Sequence, residues 1–364
     1  MVPVARKNLL ADKVRLPISI GGVTFAVLLI LVVGSLYRGF EREAGSFVES
    51  APGDLWIMEE DTTDIFHSFS VLPEEKVEAV AQVEGVGEVI RLYAKRGTAE
   101  YDGGRADTYV MAFDVPAGSE VLPGVNSPGP GDIVLDEVYS RKTGLGVGDT
   151  IDVRGRAFTV SRVTDISNVG LSQFSLISGD DAQIIAVPGN TSYALAFVEP
   201  GADAAAVALA IEQQVPGIAA ETKAAFAESN RNEVITFFLP IITVLLVIAF
   251  LVGTAVIGLT IYTATIERTR EYGVLKAVGA SAGYLYQVVI AQSLIVGVAG
   301  FVLGVHLTLA VNRLARELVP EFVNVLRWDD IARVFVAVLA MAVLAAFIPV
   351  RRVASIDPAL VFRA

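Results

Sequence analysis

Four long apolar runs decide what this chain can fold into. Leu16 to Tyr37 gives 22 residues without a charge, and Ile235 to Ile266 gives 32. Tyr284 to Val311 gives 28, with only Gln287, Gln292 and His306 as strongly polar interruptions. Val334 to Val350 gives 17, or 20 counted from Ile331 with the Arg333 side chain snorkelling to the interface. A bilayer's hydrocarbon core takes about 20 apolar helical residues to cross, so the sequence predicts four spanning helices. A hydrophobic content of 53% agrees, being too high for an ordinary soluble domain of this length. The first run exceeds the roughly 7 to 15 residues of a secretion-signal core, and no small-x-small cleavage site follows it. It reads as a retained anchor.

Orientation follows from the positive charges, because Lys and Arg resist translocation. Residues 1–16, 267–283 and 351–364 would share one side, and they hold ten basic residues against four acidic ones. That side is expected to be cytoplasmic, with both termini on it. Residues 38–234 hold 14 basic and 32 acidic residues, a net charge of −18, so the chain's acidity sits in one large segment outside. The short outer loop at 312–330 is nearly neutral and decides nothing. An acidic chain of this kind is not expected to bind nucleic acid.

The outer segment contains no cysteine, so disulfides contribute nothing to its stability. It alternates strand and helix patterns. Residues 54–58 and 88–93 read as strands around a helix at 73–83, where a proline and acidic residues mark the start. The same order recurs with 193–198 strand-like, 203–214 helical, and VPGIAAET at 215–222 resembling VEGVGEVI at 83–90. Two related strand-helix-strand halves of one α+β unit are the expectation, with a glycine-punctuated β stretch between them. Gly144, Gly146 and Gly148 in that stretch fit neither GxGxxG nor GxxxxGK[ST] and read as turn residues.

Between the second and third runs, ERTREYGVLKAVGAS at 267–281 interrupts the hydrocarbon pattern with charge yet stays helical in period. Tyr272, Leu275 and Val278 fall along one stripe with Glu271 and Lys276 beside it, and Gly279 supplies a helix stop. A short amphipathic helix along the inner membrane surface fits this pattern. The embedded GASAG matches GxSxG, but the two histidines, His67 and His306, cannot reach Ser281, so a serine hydrolase is excluded.

This stretch resembles the signature of the MacB, FtsX and LolC/LolE family of ABC-transporter permeases, in which a charged run precedes E-[IY]-G-[IV]-[LM]-[RK]-[AT]-[LIV]-G-[AS]. PVRRVASIDPAL at 349–360 resembles the family's terminal motif, and GDIVLDEVYSRKTGLGVGDTIDVRGRAFTV at 131–160 resembles the β subdomain of its outer domain. With the one-plus-three helix layout, the resemblance covers nearly the whole chain and is closest in plan to compact four-helix members similar to HrtB and DevC.

The resemblance implies an α-helical transmembrane part with an α+β extracytoplasmic domain inserted between helices 1 and 2. The expected parts are a cytoplasmic amphipathic segment at 1–16, helix 1 at 17–37 and the outer domain at 38–234 with its β insertion near 117–188. Helix 2 with a stalk follows at 235–266, the coupling helix at 267–283, helix 3 at 284–311, an outer loop at 312–330, helix 4 at 331–350 and a cytoplasmic tail at 351–364. The second run is long enough to project beyond the bilayer, with a kink possible at Pro240.

The family reading makes Arg270, Glu271, Tyr272, Leu275, Lys276, Val278 and Gly279 the contact to a cytoplasmic ATP-binding subunit, which carries ATP and Mg. This chain has no Walker motif, so it is not expected to be the enzyme or to bind a cofactor or metal itself. A second permease copy, membrane lipid and an extracytoplasmic partner are the other expected associates. Gly21, Gly22 and Gly34 are expected at the dimer seam, and Gly300 and Gly304 in packing within the chain. At the outer mouth, Tyr37, Phe40, Phe47, Phe237 and Phe238 with Arg38, Glu41, Arg42 and Glu43 suit a flat or amphipathic ligand. Export of haem, lipid, lipopeptide or drug is the expected function; the alternative is a non-transporting subunit that activates an outside partner such as a cell-wall hydrolase.

Overall fold

The computed structural model describes residues 15–65, 70–166, 168–169, 172–319 and 321–354. The N-terminal segment before Arg15, His67 and the second half of the C-terminal motif lie outside them. Two compact units result: one holds residues up to Arg38, Phe238–Leu318 and those from Asn324 onward; the other holds Gly39–Phe237 and Val319–Val323. Helix α1 (Arg15–Ser50) contributes to both.

The second unit begins with β1 (Leu55–Glu59), β2 (Leu72–Pro73), α2 (Glu74–Val80), β3 (Val86–Tyr101) and β4 (Gly104–Phe113). There follow β5 (Glu120–Leu122), β6 (Val125–Asn126), β7 (Asp132–Asp136), α3 (Glu137–Thr143), β8 (Thr150–Val153), β9 (Arg156–Thr164), β10 (Asn168–Val169) and β11 (Ser172–Ile177). After a 3-10 turn at Gly179–Ile184 come β12 (Asn190–Thr191), β13 (Tyr193–Val198), α4 (Ala204–Gln214) and β14 (Ile218–Thr222).

The expected repeat is present as two split strand-helix-strand units. In the sheet order β3-β13-β1-β14, β1 runs antiparallel to both neighbours, so each half's two strands are parallel with a strand of the other half between them. Alternation along β1 sends Leu55 and Ile57 to the face covered by Val77 and Val80 of α2 and Val207 and Ile211 of α4. Trp56 and Met58 face the opposite way, into a second core. Both faces are covered, which is why this strand reads as an unbroken apolar run.

The β insertion expected near 117–188 is not a separate body. Strand β3 runs on to Tyr101, eight residues past the expected end at 93, pairing first with β13 and then with β4 through the two-residue connection Asp102-Gly103. Pairing then passes from β4 to β11, β7, β9 and β8 and returns to β3 at Ala99 and Glu100. Six strands thus close on themselves around Val110, Ile133, Leu135, Ile151, Phe158, Val160 and Ile177. Closure leaves these strands no open edge. The turn reading of the glycines holds where φ requires it: Gly144 is left-handed at the C-cap of α3 and Gly148 has φ +95°.

The first unit is helical, with the initial part of α1, then α5 (Lys223–Glu267), α6 (Thr269–Ala277), α7 (Ala282–Leu318) and α8 (Trp328–Ala354). Four of the described helices, α1, α5, α7 and α8, are long and apolar enough to cross a membrane. Each runs past the span expected from sequence, and α5 runs unbroken through Pro240. Val23, Val27 and Leu31 of α1 meet Ile257 and Ile261 of α5, Val289 and Val296 of α7, and Val338 and Met341 of α8 in one core. Small residues set the approach: a Cβ on Gly300 would stand 2.5 Å from Val23, and one on Gly304 2.6 Å from Val27. The intrachain packing expected for these two glycines is observed. Gly22 departs from its expected place at a dimer seam, since a Cβ there would stand 2.5 Å from Val256 of the same chain. Gly21 and Gly34 have nothing within 4 Å.

Candidate functional site

Helix α6 is the described element whose construction differs most from a plain connection. Only Arg268 separates it from α5, so the long spanning helix turns almost directly into it. Its N-terminal turn carries Glu271, paired with Arg268 at 3.3 Å, and its last turn carries Lys276. Both signs match the helix dipole.

The C-terminus is built by Gly279. With φ +101° it sits in the left-handed region, its N–H donates to Lys276 O at 3.1 Å, and the next N–H, of Ala280, donates back to Leu275 O at 2.9 Å. These are the two bonds of a Schellman motif, which closes the last carbonyls of a helix and reverses the chain. Ser281 then caps α7 by accepting the Tyr284 N–H at 3.2 Å on Oγ. The serine of the GASAG motif therefore has a structural role.

The seven residues expected to act here divide between two faces. Arg270, Glu271, Leu275, Val278 and Gly279 are exposed, with Leu275 at 37% and Val278 at 84%. Val274, 44% exposed, joins them; sequence reading missed it, although it lies four residues before Val278 and thus on the same helical face. Lys276 is half-buried. Tyr272 departs from the expected stripe: it is 3% exposed and belongs to the core containing Ile261, Leu285 and Val289. Tyr272 and Val278 are six residues apart, well round the helix from each other. What remains outward is an apolar edge, Val274, Leu275 and Val278, bordered by Arg270 and Glu271.

The residues expected at the outer mouth are described within their own units. Tyr37, Arg38 and Phe238 belong to the helical unit, and Phe40, Glu41 and Phe237 to the other. Phe237 is exposed; the other five are half-buried. Arg38 is engaged with two acids of α8, holding Asp330 through Nε at 2.7 Å and Nη2 at 2.7 Å and approaching Asp329 at 3.8 Å. Phe47 is no mouth residue: it is buried at 1% against Trp56 and Phe174, with ring centroids 6.3 and 4.9 Å away.

Two hollows lie elsewhere. An apolar groove of about 410 Å³ between α5 and α8 is lined by Thr254, Gly258, Leu259, Tyr262, Leu344 and Ile348. A polar one of about 540 Å³ in the second unit is bordered by Glu74, Tyr93, Asp114 and Asp180. Arg91 lies beside it, paired with Glu74 at 2.5 Å and Asp114 at 3.6 Å. Among the described residues no three His, Cys, Asp or Glu side chains converge as metal ligands.

Known proteins match this arrangement along the chain. The family model of the MacB-like periplasmic core domain matches residues 18–214, and that of the FtsX-like permease C-terminal domain matches residues 243–358. An uncharacterized ABC transporter permease of Mycobacterium tuberculosis is 25% identical, covering 100% of this chain and 99% of that one. The macrolide export ATP-binding/permease protein MacB of Pectobacterium atrosepticum is 31% identical over 106 residues, which is 29% of this chain and 16% of that one. The crystal structure of the periplasmic region of MacB from Actinobacillus actinomycetemcomitans superposes with a TM-score of 0.34 at 12% identity, covering 50% of this chain and 95% of that one. With one family model spanning more than half of its residues and the other most of its last three helices, the chain belongs to the MacB/FtsX family of ABC transporter permeases.

Proposed function

We propose that this chain is the permease subunit of an ATP-driven exporter and that α6 is its contact to a separate ATP-binding subunit. The observation that carries this reading is the outward apolar edge of Val274, Leu275 and Val278 on a capped helix that continues directly from α5. Exposed aliphatic side chains bordered by mixed charge dock into a hydrophobic groove of a partner, and a short, capped helix transmits a push to the helices it joins. Two copies of the permease pair in the inner membrane, with both termini on the cytoplasmic side, where ATP and Mg are held by the partner. Closure driven by nucleotide is passed outward and expels an amphipathic or hydrophobic substrate.

Replacing Leu275 or Val278 with Asp tests the assignment. An unpaired carboxylate buried in an apolar contact costs several kcal/mol, so the ATP-binding subunit should dissociate from a permease that remains folded and membrane-inserted. A complex that keeps the subunit and its full ATPase activity would remove the coupling role of α6.

The substrate is read as a flat amphiphile such as haem, for which Tyr37, Arg38, Phe40 and Glu41 along α1, and Phe237 and Phe238 along α5, are the candidate contacts. Aromatic rings stack on planar ligands, while a carboxylate or phenol approaches a metal centre. Haem titrated into the purified permease should give a Soret shift that Glu41→Ala or Tyr37→Phe diminishes. No shift at micromolar haem would exclude haem and leave lipid, lipopeptide or drug as the exported class.

A further inference from the structure

The two faces of α6 are built for different tasks. Outward, Val274, Leu275 and Val278 are exposed. Inward, Tyr272 is buried, with 3% of its surface exposed, and Gly273 beside it is buried too. The Tyr272 ring enters the same contiguous cluster as Ile261 of α5 and Leu285 and Val289 of α7, each of them 1% exposed or less. It is the residue of α6 that joins this core. Its backbone N–H is fixed by Arg268 O at 3.0 Å, at the junction with α5.

We propose that Tyr272 is a positioning residue, an internal peg by which movement of α6 is delivered to α5 and α7. This inference rests on the reading of α6 as the contact to the ATP-binding subunit and adds a separate role within it. A closely packed side chain cannot move without displacing its neighbours, because protein interiors transmit strain with little compression. A push on the outward edge that lacked such a peg would bend the one-residue junction at Arg268 and the Gly279 turn instead. The proposal assigns this task to the bulk of the ring.

The chain contains no cysteine, so a single introduced cysteine gives an unambiguous probe. Leu239→Cys places it on an exposed side chain near the start of the apolar run of α5. The complex with its ATP-binding subunit, in liposomes, is compared for retention of that subunit and for the change in maleimide labelling rate when ADP and vanadate are trapped. The parent complex should keep the subunit and change its labelling rate several-fold. Tyr272→Ala should keep the subunit but lose the nucleotide-dependent change, and Tyr272→Phe should behave as the parent. Leu275→Asp should lose the subunit, with affinity weakened about tenfold or more.

Loss of the subunit from Tyr272→Ala would make Tyr272 part of the docking surface and overturn the proposal. So would an unaltered labelling change in Tyr272→Ala, an alanine-like Tyr272→Phe, or a parent complex without nucleotide-dependent labelling. Retention of the subunit by Leu275→Asp would instead remove the docking role of α6 on which the proposal rests.

Discussion

At Gly300 and Gly304, a single absent carbon sets the distance between α1 and α7. Either Cβ would lie closer than 3.0 Å to a valine of α1, so substitution forces the helices apart. Gly304→Val should cost about 1 to 3 kcal/mol, visible as a lower melting temperature of the purified protein, while Gly34→Ala, with open space around it, should change little. Asp136 makes a second residue-scale case. It caps α3 and accepts N–H groups from Val138 at 2.8 Å and Ile166 at 3.1 Å. Burial nevertheless pushes its carboxyl up from 3.8 to about 6, against the pull of those two donors. Because the folded state holds this proton more tightly than the unfolded chain, the stabilisation is complete below the unfolded value and is lost as pH rises through about 6. Asp136→Asn should shrink the stability difference between acid and neutral pH by up to about 3 kcal/mol, measured by denaturant melts; an unchanged pH profile would contradict it. Sequence pattern alone named the close-packed glycines, because small residues at four-residue spacing have one common use in membranes. It did not distinguish buried Tyr272 from exposed Val278, since both are apolar and only the neighbouring helices decide which side is inward.

Among the elements, α6 owes its definition to its end as much as to its face. Gly279 adopts φ +101°, a region that costs a β-branched residue roughly 1 to 2 kcal/mol. Gly279→Val should therefore fray the last turn, detectable as faster amide exchange at Ala277 and Val278, whereas Ala282→Ser in the following turn should leave exchange there unaltered. The glycine stop was legible because a helix that ends at a left-handed residue needs one that tolerates it. The strands were legible to different degrees. The element at Tyr193–Val198 lies where the apolar pattern puts it, while β3 extends far beyond the expected 88–93 to Tyr101. The added part carries Lys95, Arg96 and Thr98 with alternating burial. Alternation weakens where a strand passes from a two-layer sheet into a closed ring, because the inward face changes its partners. The Asp102-Gly103 pair between two such segments was the available hairpin signal.

For the molecule as a whole, the central claim is a permease whose acidic α+β domain stands outside and whose α6 faces an ATP-binding partner inside. Four spanning helices and an inserted domain were readable from hydropathy and charge alone, since a bilayer imposes length and polarity on every segment. Ring closure by distant strands was not, because pairing between β8 and β3, about fifty residues apart in sequence, leaves no local pattern. The proposed arrangement across the membrane rests on the positive charge at 1–16, 267–283 and 351–364, and a sequence without cysteine makes it directly measurable. Val147, exposed in the loop before β8, and Ser281, exposed ahead of α7, sit on the two sides this account assigns. In intact cells treated with a membrane-impermeant maleimide, Val147→Cys should label and Ser281→Cys should label only after the membrane is opened. Labelling of Ser281→Cys in intact cells with protection of Val147→Cys would invert the topology and contradict the assignment of α6 to a cytoplasmic partner.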